Sequence, residues 1–462
     1  MKQRFSRTII NLVTLLSAVA IALVGFSVSA CAQPSIKQQY AEKVKKEFLF
    51  AWNNYKKYSW GHDELEPLTK SYYDWYGKGE SLLMTPVDAY DTMVLMGLKK
   101  EAREDEQLID DSLSFDKDIS VSNFEITIRM LGGLLSGYEL NHDKRFLELA
   151  TDLANRLLPV YNTATGMPYR FVNLKTGKVS GVVSNPAEIG SETLELGTLS
   201  KLTGNPIYFE KAKRAVVALF DRRSKIGLVG SAINVETGKW VDPESHISGG
   251  IDSYLEYLLK AWKLFGDKEF KHMWDVSVAS VNKYLAQKVD GELWYGHANM
   301  NTGVINQTQF GALDAFFPAE LALGGELKRA EELENSCYKM WLYYRIEPEQ
   351  INYTNMKIVS PGYVLRPENI ESNYYLYEFT HNPEYVCRAE TYFNTFVYNC
   401  RVKHGFASLK SVITKEKIND TPSYMFAETL KYLYLTFAPA STLNFHDIIF
   451  NTEAHPLHKN FK

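Results

Sequence analysis

The sequence predicts an all-α protein built from repeated helical hairpins. Three observations lead there. Four segments share one helix–turn–helix pattern, the turns carry residues that stop one helix and start another, and strand signals are short and few.

The first element is a leader. Lys2, Arg4 and Arg7 precede an apolar run from about Ile9 to Val28, and small residues follow up to Cys31. This is the layout of a secretory signal, expected over residues 1–31. Three fates fit it: lipidation of Cys31 after the lipobox-like Val28-Ser29-Ala30, ordinary cleavage near Ala30 or Ala32, or retention as an anchor, since the run is long enough to span a bilayer. All three predict export, to the periplasm, the cell surface or the medium, with membrane attachment through Cys31 in the first. Of the other cysteines, Cys337, Cys387 and Cys400 lack CxxC spacing, which argues against a zinc site. A Cys387–Cys400 disulfide is compatible with an oxidising compartment.

After the leader, one domain is expected over 38–460. The net charge is −4, with 51 basic against 55 acidic residues, and three of the basic ones sit in the leader. That balance argues against a nucleic-acid partner and suits a neutral, hydroxyl-rich ligand. The 29 Tyr, 24 Phe and 8 Trp supply rings that can stack on sugars, although most belong to the core.

The hairpins follow. Their turns are Asn141-His142-Asp143 before Phe146, Thr203-Gly204-Asn205-Pro206 before Tyr208, Phe265-Gly266-Asp267 before Phe270, and Thr380-His381-Asn382-Pro383 before Tyr385. Gly or Asn is expected to take the left-handed conformation that ends a helix. Asp or Asn then caps the next one, and Pro fits its first turn. Such hairpins stack into a solenoid or close into a toroid. Strand candidates are 165–172 with 178–183 around Thr176-Gly177, and Ile226-Gly227-Leu228-Val229.

Carboxylates open or precede the helices before the turns: Glu125, Glu188 and Glu192, Asp252, then Glu368 and Glu371, with Glu428 on a later helix. Acids favour helix N-termini in any case. In a closed ring, however, equivalent helix ends face one mouth, and these acids would meet in one pocket. Three stretches support the pocket. In Phe124-Glu125-Ile126-Thr127-Ile128-Arg129, the acid and base four apart share a face, and Gly132-Gly133 beyond them suggests close packing. In Leu365-Arg366-Pro367-Glu368-Asn369-Ile370-Glu371, two carboxylates share a face between apolar flanks. Near the C-terminus, Phe450-Asn451-Thr452-Glu453-Ala454-His455-Pro456 is a polar turn after an apolar run.

Together these stretches resemble glycoside hydrolase family 47, the class I α-1,2-mannosidases. The resemblance covers nearly the whole mature chain. It extends through Trp60-Gly61-His62-Asp63-Glu64, Asp88-Ala89-Tyr90-Asp91-Thr92, Gly250-Ile251-Asp252-Ser253 and Phe426-Ala427-Glu428-Thr429. It implies an (α/α)7 barrel closed at one end by a β-hairpin, with Ca2+ at the pocket floor. Glu125 matches the general acid, Glu368 the general base and Asp252 a third essential acid. Thr452 matches the direct calcium ligand, with Glu371, Glu428 and Glu453 holding its waters. Arg129, Glu195 and Arg366 match substrate-pocket residues, and Tyr424 an aromatic that stacks on the sugar. The implied activity is exo-acting, inverting hydrolysis of terminal α-1,2-linked mannose from mannose-containing oligosaccharides, by a monomer. The alternatives are another linkage preference or a mannose-glycan binding protein with little catalysis. Gly250, Ala312 and Ala315 stand where the processing mannosidases carry Arg, His and a disulfide Cys, which leaves Cys337 without that partner. In this the chain looks more like the bacterial and degradation-enhancing branches.

Overall fold

The computed structural model describes residues 33–461. The leader 1–31, with Cys31 and its lipobox reading, lies outside the described residues. Among the described residues, no helix is long and apolar enough to cross a membrane.

The helices form pairs. After α1 (Pro34–Tyr58), the pairs begin with α2 (Met84–Leu95) and α3 (Lys99–Ser112). Helix α4 runs from Asn123–Ile126 through a π-helical turn, Thr127–Leu131, into Gly132–Asn141, and α5 is Lys144–Leu157. Next come α6 (Pro186–Gly190 continued by Thr193–Thr203) with α7 (Ile207–Phe220), and α8 (Asp252–Phe265) with α9 (Lys268–Tyr284). Then follow α10 (Phe317–Leu323) with α11 (Leu327–Tyr344), and α12 (Glu368–Thr380) with α13 (Pro383–Cys400). Helix α14, a second π-helical turn at Met425–Thr429 leading into Leu430–Phe437, has no successor and packs on α1.

The even-numbered helices are inner. Each contacts the next, from α2 through α14 and back to α2, so the solenoid alternative is excluded and the fold is an (α/α)7 barrel. The sequence of the inner helices explains their place. Nearly every residue of 84–93 and 430–437 is buried, so there is no polar face to turn to solvent. The outer α5, by contrast, buries only a stripe at Phe146, Leu149, Ala150, Leu153, Ala154 and Leu157.

The turns work as expected, with one difference. Gly204 and Gly266 are left-handed at φ 74° and 70°, but in the other two turns His142 and His381 take that conformation rather than Asn. The Asn and Asp residues are used as caps instead. Asp143, Asp267 and Asn382 each accept a backbone N–H two residues on, at 2.9, 2.9 and 3.0 Å, worth about 1 kcal/mol apiece. The trailing ring packs back as expected: a Cβ on Gly137 would lie 2.6 Å from Phe146.

Short antiparallel sheets join one pair to the next and surround the N-terminal ends of the inner helices. Phe171–Asn173 pairs with Val179–Ser180 around Thr176-Gly177, so the expected hairpin exists in a shorter form. The segment Ile226–Val229 is not a strand. Gly227 turns it at φ 89° and Leu228 is buried in the core; the nearby strand is Ala232–Asn234. From the opposite end, Ile448–Phe450 and Pro456–His458 form an antiparallel hairpin. It packs against α4 and α8, with Phe450 among the rings of Tyr374, Tyr375 and Tyr432.

Candidate active site

At the N-terminal ends of the inner helices, a cavity of about 310 Å³ opens, with the turn of the C-terminal hairpin at its floor. Its lining holds eight carboxyl side chains: Glu125, Glu188, Asp252, Glu256, Glu368, Glu371, Glu428 and Glu453. Only two cations face them, Arg129 and Arg366. The lining includes the Thr452 side chain and no His, Cys or Met.

Helix α4 supplies one wall. Ser122 Oγ accepts the Glu125 N–H at 3.3 Å, which starts the helix and fixes the carboxyl at the cavity edge. One turn later the backbone widens into the π-helical turn that carries Arg129; such insertions cluster at functional sites. The guanidinium donates from Nη2 to Glu125 at 2.9 Å and from Nη1 to Glu453 at 2.7 Å, with Asp88 at 3.7 Å. It also lies over the rings of Trp75 and Tyr424, 5.3 and 5.5 Å from their centroids. Arg129 therefore ties the wall to the floor.

The opposite wall comes from α8 and α12. Asp252 opens α8, accepting the Ser253 N–H at 2.9 Å, and burial raises its pKa to about 7. Before α12, Leu365 holds a left-handed backbone at φ 61°, rare for a branched residue, and its carbonyl accepts the Thr429 hydroxyl at 2.7 Å. This kink sends Arg366 onto Glu349 at 3.0 Å and leaves its Nη1 3.7 Å from Glu368. Burial pushes Glu368 up to about 7 against the pull of Arg366. Its Oε2 is buried without a protein hydrogen-bond partner, so a lone pair is left for a ligand or water. Tyr424 forms a flat wall between the two sides, its hydroxyl engaged by the Val364 carbonyl at 2.6 Å.

The floor is a tightly held turn. Asn451 Oδ1 accepts the N–H groups of Glu453 and His455 at 2.9 and 2.8 Å. Its Nδ2 donates to the Ile128 carbonyl and to Glu195, both at 2.8 Å. Ala454 is left-handed at φ 57°, and buried Lys431 donates to its carbonyl at 2.5 Å. His455 sits between Asp91 at 2.7 Å and Asp88 at 3.3 Å. Burial pulls its pKa down, but the two aspartates outweigh that and raise it to about 9. The paired glycines on α4 allow this contact: a Cβ on Gly132 would lie 2.5 Å from Asn451 Nδ2, and one on Gly133 would lie 2.7 Å from Val87.

The charge balance of the cavity favours a cation. Burial raises Glu453 to about 8 against Arg129, and burial with three neighbouring acids raises Glu428 well above its usual range. An all-oxygen lining with surplus carboxylates suits a hard divalent ion such as Ca2+ and not zinc. A second cluster, Glu256, Glu320 and Glu371, has oxygens close enough together to hold a metal. It already contains a cation: the ammonium of Lys260 lies 2.5, 3.4 and 3.7 Å from the three acids.

The structure brings Glu125, Asp252, Glu368, Arg129, Arg366, Glu371, Tyr424, Glu428, Thr452 and Glu453 onto one cavity. Glu195 does not line it. It is buried one layer below, where its Oε1 accepts from Tyr257 at 2.6 Å as well as from Asn451. Glu256, Asn185 and Phe316 line the cavity without having been singled out from the sequence. Glu256 had a readable signal, since it stands four residues after Asp252 on the same helix face. Cys337 is a free, buried thiol, as expected. Cys400 is also free and buried, so the Cys387–Cys400 disulfide does not form: Cys400 ends α13 inside the core.

Comparison with known proteins agrees with this geometry. A mannosyl-oligosaccharide 1,2-alpha-mannosidase of Arabidopsis thaliana is 36% identical over 91% of this chain and 79% of its own length. The human mannosyl-oligosaccharide 1,2-alpha-mannosidase IB is 35% identical over 90% and 69%. The human ER degradation-enhancing alpha-mannosidase-like protein 2 is 34% identical over 90% and 77%. Among solved structures, an alpha-1,2-mannosidase from Trichoderma reesei superposes with a TM-score of 0.84, at 26% identity, over 92% of this chain and 99% of that one. The family model for glycosyl hydrolase family 47 matches residues 47–459, and the chain belongs to that family.

Proposed function

We propose that this protein is an exported, calcium-dependent, inverting exo-α-mannosidase that removes terminal α-1,2-linked mannose from mannose-containing oligosaccharides. One observation carries the reading: a single closed-floored cavity has Glu125 on one wall and Glu368 with Asp252 on the other. Its size suits a terminal sugar and its closed floor suits exo action. Inversion requires an acid on one side of the sugar ring and a base on the other with room for water between them, about 6.5–9.5 Å.

In this reading Glu125 delivers a proton toward the glycosidic oxygen, and Arg129 holds its carboxyl in place. Glu368, kept near neutrality by burial, takes a proton from the attacking water through its unpartnered Oε2. Asp252 lies on the same side and orients that water. Tyr424 stacks on the sugar and Arg366 keeps Glu368 positioned. Thr452 would hold Ca2+ directly, with Glu371, Glu428 and Glu453 holding its waters. Bound there, the ion supplies loose oxygen coordination for sugar hydroxyls and electrostatic stabilisation of a distorted ring.

The test is an anomer-resolved NMR assay on a panel of mannobioses, with and without calcium. β-Mannose as the first product from the α-1,2 isomer, lost on chelation and restored by calcium, is the expected result. An α-mannose first product would overturn inversion. Binding without turnover would replace the enzyme by a glycan-binding protein.

A further inference from the structure

Helix α8 presents Asp252, Glu256 and Lys260 at intervals of four, one stripe running down from the cavity into the barrel. Asp252 and Glu256 line the cavity; Lys260 is fully buried one turn deeper. Its ammonium joins three elements. It pairs with Glu256 on its own helix at 2.5 Å, Glu320 on α10 at 3.4 Å and Glu371 on α12 at 3.7 Å. The ring of Tyr375 covers it, with the centroid 5.5 Å away. Glu371 also accepts from Tyr432 on α14 at 3.2 Å. Neither oxygen of Glu320 has a hydrogen-bond partner, so the ammonium is its main stabilising contact.

Three carboxyl groups this close together, removed from water, cannot all ionise without a counter-charge. A metal could provide one. An ammonium on a rigid helix provides it permanently.

We propose that Lys260 is a positioning residue, a built-in cation that stands in for a second metal ion and fixes Glu256 and Glu371 against the underside of the cavity. Glu371 then faces the floor beside Glu428, while Glu320 anchors the ammonium from behind. This role rests on the mannosidase reading above, and the experiment separates the two.

Calcium bound per chain is counted by mass spectrometry after equilibrium dialysis, in the full-length protein and in K260A, alongside kcat and KM for mannose release. K260A is expected to take up one more ion than the unaltered protein, because its three carboxylates are left without a cation. Its kcat per folded chain should fall at least tenfold with KM within about threefold. K260R should gain no ion and recover most of the rate. Equal ion counts in K260A and the unaltered protein, with unchanged kcat per folded chain, overturn the proposal. If K260A does not fold, the double variant K260M/E320Q removes one charge of each sign and keeps the net charge of the cluster. It should gain no ion yet lose kcat at least tenfold, and full activity there overturns the proposal. An unaltered protein that binds no calcium and releases no mannose refutes the enzyme reading instead, whereas the difference of one ion is independent of turnover.

Discussion

Arg129 and Lys260 each hold three carboxylates, but they do so at different depths and with different chemistry. The guanidinium of Arg129 lines the cavity and binds Glu125, Asp88 and Glu453, which come from α4, α2 and the C-terminal hairpin. The ammonium of Lys260 has no solvent exposure and gathers acids from three inner helices on the other side. The planar fork fixes directions, so Arg129 suits a catalytic acid whose carboxyl must keep one orientation. The point charge fixes only a location, which suffices beneath the cavity. A crowded acidic site is thus stabilised from two sides, by direction near the chemistry and by charge below it.

The comparison can be broken most severely at the acids themselves. Glu125→Gln keeps the shape but removes the proton, and the rate of mannose release should fall by about 10³-fold, within the range for general acid catalysis. Circular dichroism should stay native, and unchanged turnover would remove Glu125 from its role. Arg129→Lys tests direction against charge. Losing charged hydrogen bonds worth about 1.5–3 kcal/mol should lower kcat/KM by roughly ten- to a hundredfold, more than Lys260→Arg does. Equal effects would show that direction does not matter at Arg129. Gly132→Ala pushes a methyl into Asn451 and should destabilise the floor by about 1–3 kcal/mol, read as a lower Tm and a weaker response to calcium. The pH profile separates the two walls. Glu368 must be ionised to act as base, so kcat/KM should drop as pH falls through about 7, and an acid limb near 4 would contradict its buried setting. The last effect is on the pH dependence of stability. His455 is protonated at about 9 in the fold and at about 6.5 when unfolded, so its contribution, on the order of 3 kcal/mol, is complete below pH 6.5 and is lost as pH rises through 9. Tm between pH 7 and 10 should fall less steeply in His455→Gln.

The hairpins were legible in the sequence because each repeats a stop, a cap and a trailing aromatic, and such signals are local; their closure into a ring was implied only by the family resemblance. Acids at helix openings were legible for the same reason, and a closed ring gathers them. What escaped was set by distance along the chain. His455 meets Asp91 across 364 residues, and nothing in the spacing of either reveals the pair. Glu195 matched a pocket residue in sequence, but Asn451 reaches down to it and the turn covers it. Lys260 was not singled out in the sequence, because two of its three partners, Glu320 and Glu371, lie on other helices.

The floor of the cavity also has a timing. The segment 448–458 follows the fourteen barrel helices among the described residues, yet the Thr452 turn and the Arg129–Glu453 link depend on it. During synthesis the ring helices emerge from the ribosome before the segment that completes their active site. A chain cut short after α14 would have a ring with the acids of both walls but no base plate. Catalytic competence would then arise in a single late event, the insertion of one hairpin, which makes activity a direct report on whether that last step of folding has taken place.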